Sequence, residues 1–382
     1  MNDIKPLRVG IACNIKTDRS SDEQAEYDEP ETVEAICGAL RSGGYSPFVL
    51  EASDGFPQKL EADKPDIVFN IAEGKSGRSR EAQIPAILEY YGIPYVGSDT
   101  AALAIALDKA LTKRIAGSYG VGTPAFAIIK KENGCIRGET HDDKCNTHDG
   151  ANGEPRDDAS DEFYGGMADN AYDTHAGAHY VLPGALPYPV LIKPNAEGSS
   201  KGISDTCVAA NPRELRSLVR RSMRRCEGDL LAEQYVDGRE FTVGILGNGP
   251  ELRVFGPMEL VFQRQRSEYK VYSFEIKRNY RDYIAYRCPP ELPDELSARM
   301  RRDAKTVYDA IGCRDFARID FRLSGDGRVW FIEINPLSGL APQYSDYPML
   351  AEFHGIQYDA LVCEILRCAL KRYGIQDKNR RL

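Results

Sequence analysis

Apolar residues recur along the chain with two alternating periods. LRVGIAC (7–13) and DIVFN (66–70) are short continuous apolar runs, the pattern of buried strands. Between them Val33, Ile36, Cys37 and Leu40 fall on one face of a helix over 31–41, closed by Gly43-Gly44. A second helical face, Ile84, Ile87, Leu88 and Tyr91, precedes GIPYVGS. This β-α-β-α rhythm predicts a parallel sheet covered by helices. It lacks GxGxxG, so a dinucleotide-binding reading is poorly supported.

A helix over 100–118 then leads to a strand, AFAIIK (125–130), and PVLIKP (189–194) resumes the sheet after a long interruption. Asn211-Pro212 opens a helix with Leu215, Leu218, Val219, Met223 and Cys226 on one face. Six arginines occupy its other face, but no aromatic residues interleave them, which favours a solvated face over a nucleic-acid contact. From 229 the pattern changes to antiparallel runs, LLAEQYV, EFTVGILG and LRVFGPMELVF. A helix near 293–311 is followed by the hairpin DFARIDFRL–SGDG–RVWFIEIN, and the tail KNRRL (378–382) frays. The class is α/β (α+β): a parallel-sheet region followed by antiparallel sheets.

Composition refines this picture at one place. The 382 residues carry a formal charge of −9, yet residues 137–180 hold eleven acids and three bases, a local −8. The other 338 residues are therefore almost neutral. That segment contains no Val, Ile or Leu, so it cannot bury enough apolar surface to offset its ordering entropy, and it reads as an inserted loop. Four of the five histidines lie in it, at spacings that match no standard metal site. The ten cysteines are scattered without a CxxC pair and read as reduced thiols of a cytoplasmic protein. No apolar run approaches the ~20 residues that span a bilayer.

Chemistry concentrates in three segments. In the hairpin, Ala317, Ile319, Phe321 and Leu323 form one face, with Arg318, Asp320 and Arg322 on the other. On the return strand Trp330, Ile332 and Ile334 are expected on one face, Glu333 and Asn335 on the other. Asp320, Glu333 and Asn335 can thus meet beside Arg318, an oxygen set that suits Mg²⁺. On these residues alone a solvated face with cross-strand ion pairs stands equally well. KPNAEGSSKGIS (193–204) ends an apolar strand on Lys193 and continues into a small, glycine-rich loop, suited to phosphate oxygens but not a Walker A sequence. LAEQYVDGREFTVGILG places Glu233 at the end of one strand and Glu240 at the start of the next.

Together FNIAEG…GIPYVGSD, LDKALTK, KPNAEGSSKGIS, AEQYVDGREFTVGILG, FARIDFRL…WFIEINP and SGLAPQYSDYP make the chain resemble the D-alanine–D-alanine ligase family of ATP-grasp enzymes. The resemblance implies an ATP-grasp fold: a Rossmann-like domain over 1–98, a central subdomain over 99–190 carrying the insert 137–180, and a catalytic domain over 191–375 with a basic tail. It implies ATP and two Mg²⁺ ions (Mn²⁺ as a substitute), held by Asp320, Glu333 and Asn335. Lys109, Lys193 and Ser200 would take the phosphates, Glu233 the adenine amino group, Gln234 and Val236 the ring edge, and Glu240 the ribose. Arg318 and the Gly339 amide would steady the reacting carboxylate and the later oxyanion, with Ser199 and Lys277 beside them. The implied reaction joins a carboxylate to an amine through an acyl phosphate, as in cell-wall dipeptide synthesis. Partners are amino-acid-like small molecules, with no nucleic acid or membrane, and family members are commonly homodimers.

The substrate residues depart from the family pattern. AEYDEPET stands where the family has the Glu for the first substrate's ammonium, leaving Tyr27, Asp28 or Glu31. Tyr272 and Lys277 keep their places, but Arg278 replaces a Tyr, Glu73 replaces a His, and the Ser345 loop is one residue longer. Arg278 implies a substrate with an extra carboxylate. A ligase for other amino acids or a specialised metabolite is the neighbouring reading, and an ATP-grasp small-molecule kinase a more distant one.

Overall fold

The structure, a computed structural model, describes residues 5–18, 24, 26–130, 171–173, 180–182, 186–198, 207–226, 228–264, 268–273, 276, 277 and 279–377. Strands β1 (Arg8–Cys13), β2 (Ser46–Glu51), β3 (Ile67–Asn70) and β4 (Tyr95–Val96) form the parallel sheet, in the order β2-β1-β3-β4. β2 is an edge strand in which only Leu50 is buried, so it left no continuous apolar run to read. Helix α1 (Pro30–Ser42) begins on Pro30, whose missing N–H would have no partner in the first turn anyway. It buries Val33, Ile36, Cys37 and Leu40 in the core it shares with β1 and β3. Helices α2 (Phe56–Asp63) and α3 (Gln83–Tyr90) complete the alternation.

The run 100–118 is two helices, α4 (Thr100–Leu107) and α5 (Lys109–Ser118), not one. Asp108 breaks it: its backbone is extended and its carboxylate accepts the Leu111 N–H at 3.0 Å, capping α5. Asn195 Nδ2 donates to the same carboxylate at 2.8 Å, which ties the cap to the start of the glycine-rich segment. Lys109 is thereby set at the first turn of α5.

After β5 (Phe126–Ile129), the described part of the insert is an antiparallel pair, β6 (Ala171–Asp173) and β7 (Tyr180–Leu182). The end of the segment expected to be a loop therefore holds strands, and the rest of 137–180 lies outside the described residues. A second sheet has the order β5-β10-β8-β9, from β8 (Val190–Pro194), β9 (Val208–Ala209) and β10 (Leu230–Gln234). It takes strands from both sides of residue 190. Helix α6 (Pro212–Arg225) covers it, capped by Asn211, which accepts the Glu214 N–H at 3.0 Å while Glu214 accepts the Ala210 N–H at 2.8 Å.

The third sheet combines β11 (Gly238–Leu246), β12 (Arg253–Val254), β13 (Met258–Phe262), β14 (Ile284–Arg287), β15 (Phe316–Ser324) and β16 (Val329–Asn335). Pro257 falls between β12 and β13, so LRVFGPMELVF is two strands. Besides the short α7 (Tyr280–Tyr283), this region has α8 (Asp294–Ile311), α9 (Asp346–Phe353) and α10 (Tyr358–Arg372). Met300, Ala304, Val307 and Tyr308 of α8 pack on Phe241, Val243, Ala317, Ile319 and Phe321. The described cysteines are free thiols, as expected.

One expectation within β16 is corrected. The register pairs Asp320 with Glu333 but Phe321 with Phe331, so Ile332 is the extra residue of a bulge. Strict alternation would put Trp330, Ile332 and Ile334 on one face. Instead Phe331 and Ile334 are buried in the core, while Ile332 lines the cleft on the other side.

A buried polar hub joins the first and third sheets. Asp315 has no solvent exposure and accepts from Gly97 N at 2.8 Å, Asn248 Nδ2 at 2.7 Å and Arg372 Nη2 at 2.6 Å. Arg372 also donates to the Tyr95 carbonyl at 2.9 Å. Removing one member of a buried pair strands the other charge, so Asp315→Ala should cost about 3–5 kcal/mol of unfolding free energy in urea titration. Glu34→Ala, breaking the exposed Arg41–Glu34 pair, should leave the urea midpoint essentially unchanged.

Candidate functional site

A cleft of about 730 Å³ opens between the second and third sheets and ends against residues 26–32 and 71–81 of the first region. At one end Lys193, the fourth residue of β8, places its ammonium 2.7 Å from Glu233 Oε1. Lys113 reaches Glu233 Oε2 at 3.0 Å from α5. Burial opposes ionisation of Glu233, but the two lysines outweigh it and hold its carboxyl at about 2. Gln234 and Val236 follow along the wall, and the Val236 carbonyl accepts from Arg322 Nη1 at 2.7 Å. Arg322 Nη2 donates to Glu240 at 2.9 Å and to the Lys270 carbonyl at 2.6 Å. Burial still keeps the Glu240 carboxyl above its usual range despite Arg322.

The polar faces of β15 and β16 line the middle of the cleft. Asp320 lies across from Glu333, and Arg318 across from Asn335. Asp320 accepts from Thr242 Oγ1 at 2.7 Å, Asn335 Nδ2 at 3.1 Å, and Arg318 at 3.0 and 2.9 Å. Lys109 approaches Glu333 at 3.8 Å. Burial works against the Glu333 charge, yet Lys109, Lys193 and Arg318 bring its carboxyl down to about 2. For Asp320 burial wins over Arg318 and the carboxyl is raised. Two carboxylates and a carboxamide, without His or Cys, form a hard-oxygen set that fits Mg²⁺. Among the described residues no group of three or more His, Cys, Asp or Glu is arranged for a metal.

Beyond Arg318 the cleft meets the loop 337–345. Arg318 Nη1 lies 3.4 Å from Asp346, which also accepts from Tyr286 OH at 2.7 Å. The Tyr272 and Tyr286 hydroxyls are 3.4 Å apart. Lys277 lines the same wall, and burial together with Arg318 pushes its ammonium pKa down. Ser345 Oγ accepts the Ala341 N–H at 3.1 Å, and a Cβ at position 339 would lie 2.8 Å from that oxygen, so Gly339 keeps this turn close.

The N-terminal wall is acidic. Glu26 is closed off by Arg80, at 2.6 Å, and accepts the Gly198 N–H at 2.7 Å. Arg80 also donates to the Ala196 carbonyl at 2.8 Å. Tyr27, Asp28, Glu31, Glu73 and Glu81 line the cleft beside them. Burial raises Asp28 and Glu81 to about 7 each, and burial with Glu81 and Glu26 nearby raises Glu73 well above the usual range.

Of the residues singled out in the sequence, Tyr27, Lys193, Glu233, Gln234, Val236, Glu240, Tyr272, Lys277, Arg318, Asp320, Glu333, Asn335, Gly339 and Ser345 line this one cleft. Lys109 stands behind it against Glu333. Ser199, Ser200 and Arg278 lie outside the described residues. Sequence reasoning overlooked Lys113, although one helical turn separates it from Lys109. It placed Arg322 on the Asp320 face without a partner, and it had no signal for Asp346, Tyr286 or the Glu26–Arg80 pair.

Residues 169–367 match the family model described as D-ala D-ala ligase C-terminus. The chain belongs to the D-alanine–D-alanine ligase family. It is 28% identical to the D-alanine–D-alanine ligase of Cupriavidus metallidurans, over 87% of this chain and 85% of that one. It is 28% identical to that of Aquifex aeolicus over 91% and 97%. An uncharacterized protein of Sinorhizobium fredii is 27% identical over 96% of this chain and 98% of its own. The ligase structure from Bacillus anthracis, complexed with ATP, superposes with a TM-score of 0.64 at 21% identity, covering 96% of this chain and 99% of that one. The fold is thus the ATP-grasp fold of D-alanine–D-alanine ligases, and membership of the family makes the protein a ligase. No helix among the described residues is long and apolar enough to cross a membrane.

Because Glu81 has its carboxyl raised in the folded chain, ionising it destabilises the fold as pH rises from the unfolded value toward about 7. Glu81→Gln should therefore gain on the wild type through that window, by a few kcal/mol at most, and hold a constant difference above it. Urea midpoints across the pH range check this.

Proposed function

We propose that the protein is an ATP- and Mg²⁺-dependent carboxylate–amine ligase that activates one amino-acid-like substrate as its acyl phosphate and joins it to the amine of a second. The observation that carries this reading is the convergence of Asp320, Glu333 and Asn335 with Lys193 and Arg318 on one cleft, with Lys109 behind it against Glu333. Mg²⁺ bound there would supply charge neutralisation for the transferring phosphoryl group. Lys109 and Lys193 are the phosphate cations, with Ser200 in the same role. Glu233, the Gln234–Val236 backbone and Glu240 form the nucleoside pocket, and Arg322 braces it by holding the Val236 carbonyl and Glu240 together.

Arg318 stands between the metal carboxylates and the 337–345 loop, where it meets both Asp320 and Asp346. In that place its guanidinium orients the substrate carboxylate for attack on the γ-phosphate. With the Gly339 amide it then stabilises the tetrahedral oxyanion when the amine attacks. Lys277 lines this end, and the same step is assigned to Ser199 from the family pattern. Tyr272, Ser345 and Tyr27 flank the amino-acid substrates, and a part in their recognition is assigned to Arg278 from the family pattern. The carboxylates of Asp28 and Glu73, which line the cleft, support an ammonium group at the N-terminal wall. A D-alanyl dipeptide and a dipeptide of other amino acids both fit this chemistry.

Purified protein with Mg-ATP and a matrix of D- and L-amino acid pairs should release free phosphate and a product of dipeptide mass. A phosphorylated product without condensation would identify a kinase instead. Chelation of divalent cations should abolish turnover. Arg318→Ala should lower kcat by about 10²–10³, the usual cost of one oxyanion donor, and Glu333→Gln should do at least as much. Full activity in either variant would overturn the assignment.

A further inference from the structure

Glu233 is served by two lysines of different kinds. Lys193 lines the cleft, whereas Lys113 does not: its side chain has no exposure, and Glu233 stands between it and the open space. Lys113 Nζ is 3.0 Å from Glu233 Oε2, donates to the Phe331 carbonyl at 3.4 Å and lies 5.9 Å from the Phe331 ring centre. A fully buried ammonium is costly, and nothing in the proposed reaction uses this one directly. Its place is set by α5, the helix that Asp108 starts and Lys109 opens.

We propose that Lys113 is a positioning residue for nucleotide specificity: it is the buried counter-charge that keeps Glu233 an ionised acceptor for a base bearing an exocyclic amino group, and it leaves Lys193 free for the phosphates. This rests on the nucleotide reading above and adds a second role to it. Lys193 cannot serve both partners at full strength. At 2.7 Å it is bound to Glu233, and turning toward phosphate oxygens weakens that pair. The charged groups around Glu233 are then Lys113 from α5, Lys193 from β8 and Glu333 from β16, the last of the same sign. Lys113, shared between Glu233 and the Phe331 carbonyl, is buried away from the cleft and has no second carboxylate within ion-pair distance among the described residues. An ionised carboxylate only accepts hydrogen bonds, so it matches the amino edge of adenine and leaves the keto edge of a hypoxanthine or guanine base unpaired. A protonated carboxyl donates as well, and that discrimination fails.

The test is calorimetric binding of Mg-ATP and Mg-ITP, which needs no amino-acid substrate. Wild type should prefer ATP by about 100-fold or more, at acidic and alkaline pH alike. Lys113→Met should lose at least about tenfold of that preference at acidic pH, where Glu233 takes up a proton, and recover it at alkaline pH, where Glu233 ionises unaided. Lys113→Arg, keeping the charge, should retain a pH-independent preference. Thermal melting without nucleotide establishes that each variant is folded, and Lys113→Gln carries the same comparison if the Met variant does not fold. An unchanged ATP-to-ITP ratio in Lys113→Met at both pH values overturns the role of Lys113 alone. A wild type that binds ATP and ITP equally overturns the nucleotide reading of Glu233 itself.

Discussion

The cleft depends on charges buried in opposed sets. Glu233 lies between Lys113 and Lys193, Glu333 faces Lys109, Asp320 grips Arg318, and Glu240 grips Arg322. Each of these groups is largely removed from water, and any one left alone would carry a penalty of several kcal/mol. Their mutual attraction is what lets a low-dielectric cavity hold cations and carboxylate oxygens side by side on its walls. The acidic N-terminal wall is the exception. Burial and like-charge neighbours raise Asp28, Glu73 and Glu81 together, which makes that wall a place where a bound cation relieves strain.

These pairs are held by backbone register as much as by side chains. Asp320 and Glu333 meet because β15 and β16 are in step as far as that rung, and the bulge at Ile332 lets Phe331 return to the core one residue later. Without the bulge, an aromatic ring would sit in the cleft and Ile332 in the core. The break at Asp108 acts similarly: it starts a new helix so that Lys109 and Lys113, one turn apart, face Glu333 and Glu233. Asp315 and Arg372 anchor the third sheet to β4, which fixes the N-terminal wall relative to Asp320, Glu333 and Asn335.

Much of the cleft was legible from residue order. The alternation of β15 and β16 put Asp320, Glu333 and Asn335 on one face, and the end of β8 marked Lys193. The helical face of α6 and its Asn211 cap were readable because a cap and a 3.6-residue period are local signals. Trp330 and Ile332 were misplaced because a bulge leaves no mark on an apolar-rich strand. Lys113 drew no notice, since the carboxylate it buries against is far away in the chain.

By itself the sequence determined the family, the parallel and antiparallel regions, and the shared strand face of Asp320, Glu333 and Asn335, because these follow from short motifs and from periods of two and 3.6. Only the tertiary structure decided that Glu26 belongs to Arg80 and Gly198, that Arg322 braces both Val236 and Glu240, and that Asp346 stands beside Arg318. The reason is physical. A buried charge is defined by its partner, and each of these partners comes from another sheet, loop or helix that sequence spacing cannot bring near.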